Sequence, residues 1–396
     1  MDIFERITRS SLGGQVSVIR TIDMHTSGEA TRIVLPGQIH LEGRTLLEKR
    51  AYAKEHADHF RKRLMREPRG HPEMYGAIIV QETELTASGE ADIGVLFCHN
   101  EGYSTMCGHA TIALGRFFVD THDLSVFPRR NELVYDASSG ETLLRLHAPC
   151  GVVRVRVPTI GTGKEARSDG AQAVSFTSVP SFASATDVRV EVPESDQWAQ
   201  LKKTGRGHVT VDIAFGGAYY AIVSAAELGF ERGIRAYALS ELDDATAKVK
   251  ALLAPRRELF GHPFERDLEY LYGVIVVEKL GAGRELGLCF FADQQIDRSP
   301  TGSGVCARVA LGAAKGELGV GDEVVYESVV SLGAPGSGFA GRVDGQVNVQ
   351  GGAGEGEHVC FVARVRGRGH YTGVHWFVFE SDLDSLLNGF QVPAKH

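Results

Sequence analysis

The sequence has no excess of positive charge, no apolar run of membrane-spanning length and no paired-cysteine framework, and each absence removes a class of function. Forty-two Lys and Arg against fifty Asp and Glu leave a formal charge of −8. The chain therefore lacks the basic footprint that nucleic acid or an anionic membrane surface requires. A membrane helix needs about 20 consecutive apolar residues, and no run approaches that length. The six cysteines, Cys98, Cys107, Cys150, Cys289, Cys306 and Cys360, are scattered and include no CxxC pair. That excludes a small disulfide scaffold and the usual structural zinc spacing. The set Cys98, His99, Cys107 and His109 matches no common zinc pattern either, so no metal is expected. The opening residues MDIFERITRSSLGG are charged and carry no apolar h-region. No secretory signal is expected, and the reading is a cytoplasmic protein with reduced thiols.

What is present is an ordinary globular balance: 396 residues, 43% hydrophobic and 23% charged. That length favours two domains over one. Strand-like runs dominate, each rich in β-branched or aromatic residues and bounded by turn formers. They lie at 77–81, 93–99, 151–157, 208–215, 219–224, 273–280, 287–293, 358–367 and 375–381. Helical signals cover 44–66, ending near Pro68, and 239–253, where Leu239, Leu242, Val249, Leu252 and Leu253 share a face. Two more helices begin after the Gly-rich loops at 107–109 and 301–304. The mixture predicts an α/β (α+β) fold with antiparallel-rich sheets. The polar stretch TIGTGKEARSDGAQA (159–173) reads as a linker. It separates halves of comparable size, each with a strand, a turn, a small-residue loop and a helix. Two pseudo-symmetric domains are expected, 1–175 and 176–369, each presenting a helix N-terminus to a shared cleft.

Those two loops carry the chemistry. The first N–H groups of a helix have no intrahelical partner and favour an anion such as a carboxylate, and glycine lets the backbone approach it. Met106-Cys107-Gly108-His109 and Pro300-Thr301-Gly302-Ser303-Gly304 share this composition. A thiol at a helix head has its pKa lowered by the dipole, which would fit Cys107 as a base. The other reading is a small buried residue. His109 reads equally as a polar loop residue and Asp297 as a turn former. Cys306, beside Ala307 and Val309, reads as packing, and Gly216-Gly217 as a place of tight backbone contact.

Five ordered segments carry a resemblance: DMHTSGEATRIV (23–34), RGHPEMYGAIIV (69–80), MCGHATIALG (106–115), DIAFGGAYYAIV (212–223) and DRSPTGSGVCARVAL (297–311). Together they resemble the signature segments of the proline racemase family, from about residue 20 to about 315. Ala30 departs from it, standing where the family more often has proline. The resemblance implies a diaminopimelate epimerase-like fold, each domain a sheet wrapped around a central helix, with the C-terminal segment from about 370 to 396 returning to the first domain. It also implies cofactor-independent chemistry, a homodimer, and closure about a hinge near 160–178. In the racemases and epimerases of the family a cysteine on each loop flanks the substrate α-carbon. Cys107 matches the first; Thr301 stands in place of the second, and a hydroxyl is too weak an acid for two-base inversion. DRSPTGSG resembles the motif of the subgroup that dehydrates trans-3-hydroxy-L-proline to Δ1-pyrroline-2-carboxylate. By the same resemblance the backbone at Gly108, His109, Gly302 and Ser303 would bind the carboxylate. The side chains of His109 and Asp297 would meet the ring nitrogen, and Tyr75 and Phe291 would pack on the ring. Two other readings stand beside this one: a 4-hydroxyproline epimerase or proline racemase, and a degenerate amino-acid binding protein.

Overall fold

The computed structural model describes residues 16–392, apart from 264, 282, 351–355 and 381–383. The opening stretch from which no signal was expected, and the end of the 370–396 segment, lie outside the described residues. Among the described residues no helix is long and apolar enough to cross a membrane.

Two helices of 13 residues, Gly108–Asp120 and Gly302–Ala314, organise everything else. Both are small-residue and apolar on nearly every face. Such helices must be surrounded rather than laid on a surface. Strands supply the surround. Val16–Thr26 pairs antiparallel with Glu29–Val34, which runs parallel to Tyr75–Val80. Ile93–His99, Glu141–Ala148 and Gly151–Ile160 follow. The helix Gly108–Asp120 packs against the first, second and last of these strands. In the other half Phe182–Glu191, His208–Phe215 and Tyr219–Ser224 pair in order, followed by Leu271–Gly281 and Arg284–Phe291. Glu323–Glu327, Phe339–Gln350 and Glu357–Gly367 continue the series. A bridge between Ser181 and Phe361 brings the last strand back to the first, around Gly302–Ala314.

The halves are joined by the short strand Val174–Thr177, which pairs with Gly151–Ile160 on one side and Glu357–Gly367 on the other. The final strand, Gly369–Glu380, pairs along the whole of Val16–Thr26. The fold is mixed α/β and sheet-dominated, as the strand-rich sequence indicates.

Three sequence expectations need correction. The stretch 159–173 is not an open linker: Thr159 and Ile160 pair with Ser168 and Arg167. Asp120 then accepts from the Ser168 backbone at 2.6 Å, tying this hairpin to the first central helix. Polar side chains fill hydrogen bonds to that helix as readily as they fill a linker. The helical region 44–66 is two helices, Leu46–His56 and Asp58–Met65, broken at Ala57. On the helix Leu239–Leu253, Leu239 is 47% exposed while Leu242, Ala245, Val249 and Leu253 are buried. Leu239 begins the first turn, where the chain leaves the surface.

Gly216 is where the strand hairpin 208–224 meets the second central helix. A Cβ there would stand 2.2 Å from the Ser303 carbonyl and 2.5 Å from the Ala307 nitrogen, both backbone atoms that cannot rotate away. Gly216→Ala is expected to lower unfolding free energy by about 1–3 kcal/mol, the usual cost of overpacking. Gly102→Ala, where an added Cβ meets nothing within 4 Å, should leave the urea midpoint almost unmoved. Equal midpoints for the two variants would contradict this packing.

Candidate active site

The heads of the two central helices meet backbone to backbone. A Cβ on Gly108 would lie 2.5 Å from the Gly302 Cα, and one on Gly302 would lie 2.7 Å from the Gly108 Cα. Only glycine at both positions permits this approach. The N-terminal N–H groups of both helices therefore open onto one narrow pocket of about 10 Å³. Its lining contains all nine residues singled out in the sequence: Tyr75, Cys107, Gly108, His109, Phe291, Asp297, Thr301, Gly302 and Ser303. Met106, Tyr220 and Tyr272 complete it.

Cys107 is the N-cap of its helix, and its sulfur accepts from the Ala110 backbone N–H at 3.4 Å. The His109 ring stands beside it, Nδ1 at 3.3 Å from Sγ. The backbone beneath is held by Thr111, whose hydroxyl donates to the Cys107 carbonyl at 2.7 Å, and by Thr26, which donates to the His109 carbonyl at 2.9 Å. The expected lowering of the thiol pKa does not hold. Burial pushes the Cys107 thiol well above its ordinary value and outweighs the Ala110 N–H; the nearby Asp297 and Glu29 carboxyls push the same way. Burial pulls His109 below 6.5, partly opposed by Asp297.

Thr301 occupies the matching place with a different conformation. Its φ of 62° is left-handed, a region that a β-branched residue rarely adopts, whereas Cys107 is extended at φ −144°. Three contacts hold the turn. Ser299 Oγ accepts from the Thr301 N–H at 3.1 Å, and the Thr301 carbonyl accepts from Val305 at 2.7 Å. The buried Arg308 guanidinium donates to the Pro300 carbonyl at 2.8 Å. Burial raises the pKa of the nearby Cys289 thiol, an effect that Thr301 partly opposes.

Asp297 is buried and accepts from the Ser299 N–H at 2.8 Å. Tyr75 sets its ring edge-on to His109, centroids 4.9 Å apart, and its hydroxyl bonds to Ser104 and to Tyr272, the latter at 3.3 Å. Tyr272 stacks on Phe291 at 5.7 Å. Tyr220 and Ser303 share a 2.7 Å hydrogen bond across the pocket floor. Cys306 is fully buried among its helix neighbours, as its sequence context indicates.

The sequence reading missed two groups. Tyr220 and Tyr272 look like ordinary strand aromatics, and only the cross-strand register turns them inward. Glu29 is fully buried; its Oε2 accepts from the Arg298 N–H at 2.6 Å, and its Oε1 has no partner among the described residues. Burial and Asp297 raise its pKa well above the usual carboxylate range. It sits in a segment, 23–34, that was recognised as a signature but given no role.

Residues 21–391 match the family model described as proline racemase. A curated relative from Xenopus tropicalis, named trans-L-3-hydroxyproline dehydratase, is 43% identical over 94% of this chain and 95% of its own. The human trans-3-hydroxy-L-proline dehydratase is 41% identical over 94% of both chains. Among solved structures, a hydroxyproline epimerase from Agrobacterium vitis, crystallised with trans-4-hydroxy-L-proline, superposes with a TM-score of 0.75. It is 20% identical and covers 96% of each chain, a likeness of fold. The chain belongs to the proline racemase family.

Proposed function

We propose that the chain dehydrates trans-3-hydroxy-L-proline to Δ1-pyrroline-2-carboxylate, with Cys107 as the one base at the α-carbon. The observation that carries this reading is the unequal pair of helix heads: a thiol on one, Thr301 on the other, facing one pocket. Relatives at about 40% identity bearing that name support it.

In this mechanism the N–H groups at Gly108, His109, Gly302 and Ser303 hold the substrate carboxylate. Asp297 accepts from the ring ammonium, with the His109 ring beside it, while Tyr75 and Phe291 pack against the ring. The ammonium offsets the carboxylate charge that raises the Cys107 pKa, and the thiol proton passes to His109 Nδ1. The thiolate then takes the α-proton. The C–H electron pair forms the Cα=Cβ bond, and the Cβ–O bond breaks. Because the 3-hydroxyl is trans to the carboxylate, it lies on the same ring face as the α-hydrogen. The thiol just formed can therefore hand its proton to the departing hydroxide, giving water and restoring the thiolate. The enamine left behind tautomerises to the cyclic imine. A second base on the opposite face has no task, which fits a threonine there.

The same proposal takes residues 1–175 and 176–369 as two domains that close over the substrate, with the C-terminal segment in the first and the hinge near 160–178. It places the enzyme in the cytoplasm as a homodimer. The last strand supports a self-association surface: Val374 and Trp376 are exposed on one face, and among the described residues its outer edge has no strand partner. Light scattering should give twice the chain mass, and Trp376→Lys should shift it toward monomer; a monomeric wild type would contradict the dimer.

Incubation with trans-3-hydroxy-L-proline and no added cofactor should yield a trappable imine, with the rate in Cys107→Ser reduced by about 10²–10⁴-fold, the range for loss of a general base. Unchanged substrate in the wild type would overturn the reading, and inverted substrate would point to an epimerase. Thr301→Cys should bring α-proton exchange in deuterated water, or epimerisation of 4-hydroxyproline; neither would show that more than Thr301 closes the two-base route.

The pH profile tests the His109 step. His109 must be neutral to accept the thiol proton, and its pKa lies below 6.5. As pH falls through that lowered value the acceptor is lost, so the acid limb of kcat/KM should lie below pH 6.5. A limb at 7 or above would assign it to another group.

A further inference from the structure

A second pocket of about 430 Å³ lies on the outer side of the aromatic wall of the active site, sharing Tyr272 with it. Its walls come from both halves of the chain. Arg50 and Lys54 belong to the helix Leu46–His56, and Lys250, Tyr270 and Ala292 to the second half. His99 also lines it, but burial lowers that imidazole to about 3, so it adds no charge at neutral pH. Glu101 is the one carboxylate among the described lining residues.

Among the described residues, none of Arg50, Lys54 and Lys250 has a carboxylate oxygen within 4 Å. In another pocket, of about 350 Å³, the four lining cations are all paired. Lys279 meets Glu317 at 2.9 Å, Arg284 meets Glu327 at 2.7 Å, Arg308 meets Glu285 at 3.1 Å and Lys315 meets Asp212 at 2.7 Å. Arg50 is 4% exposed, and its Nε has no hydrogen-bond partner. Its other contacts are the Tyr103 carbonyl at 2.8 Å and the Tyr270 hydroxyl at 3.4 Å. Lys250 is half-buried and donates to the Ala292 carbonyl.

Three like charges held around one cavity, with a buried guanidinium only partly satisfied, cost stability unless something negative enters. The Lys54 and Lys250 pKa values show that cost: both are lowered, first by lost hydration, and Lys54 further by Arg50. Glu101, Asp293 and Asp267 act in the opposite sense from longer range.

We propose that this cavity is an anion-binding site, separate from the catalytic pocket, which takes a small phosphate- or carboxylate-bearing anion between Arg50, Lys54 and Lys250. Bound there, the anion bridges the helix Leu46–His56 to the second half and braces Tyr272 from behind. The site does not depend on the reaction proposed above, and binding alone reads it out.

Calorimetric titration with inorganic phosphate and, separately, with citrate, at fixed ionic strength against sodium chloride, tests the proposal. Saturable binding of at least one anion is expected; which one binds identifies the headgroup. The double substitution Lys54→Ala/Lys250→Ala should weaken it at least tenfold, while Lys279→Ala in the paired pocket should leave it unchanged. The double variant's melting temperature without anion checks that it is folded. Absence of saturable binding by either anion, or equal affinity in the double variant, would overturn the site.

Discussion

Two helix N-termini pressed together at Gly108 and Gly302 set the terms for the rest of the molecule. Each carries partial positive charge, and like dipole ends repel at contact. The sheets that surround the two helices hold the ends in place, and the buried Asp297 side chain lines the pocket beside them. In the proposed reaction the substrate carboxylate meets N–H groups from both heads. The apolar faces of both helices, the strands that enclose them and the small residues at their heads all follow from the need to make that approach.

Once the heads are fixed, the chemistry depends on how they differ. Cys107 is extended, caps its own helix and has an imidazole within hydrogen-bond range. Thr301 is held left-handed by its contacts to Ser299 and Val305. The turn costs about 1–3 kcal/mol of backbone strain, and the Arg308 contact to Pro300 is part of what maintains it. Burial sets the resting state of the thiol more strongly than the helix dipole does. In the proposed mechanism, a thiol activated when an ammonium arrives ties deprotonation to the presence of substrate.

Much of this was legible before any coordinates. Strands rich in β-branched residues declared themselves at 93–99, 208–215 and 219–224, whose bounds agree with the fold. The helix Leu239–Leu253 was equally plain, because its 3.6-residue repeat is carried by aliphatic residues that have nowhere else to go. Amphiphilic stretches were harder. Residues 159–173 look like a linker because Asp, Ser and Arg serve solvent and a neighbouring helix alike. The Ala57 break in 44–66 leaves no Gly or Pro to mark it.

The sequence by itself determined the chemical vocabulary: a Cys-Gly-His head, a Thr-Gly-Ser head, an aspartate four residues before one of them, and no metal spacing. These are local matters, fixed by residue type and by the rules for helix ends. Tertiary structure decided what is non-local. It brought residues 107 and 301 to one pocket, turned Tyr220 and Tyr272 into its wall, and buried Glu29 beside Asp297. It also reversed the expected direction of the Cys107 pKa shift. Desolvation depends on everything that packs around a group, and no spacing along the chain records that.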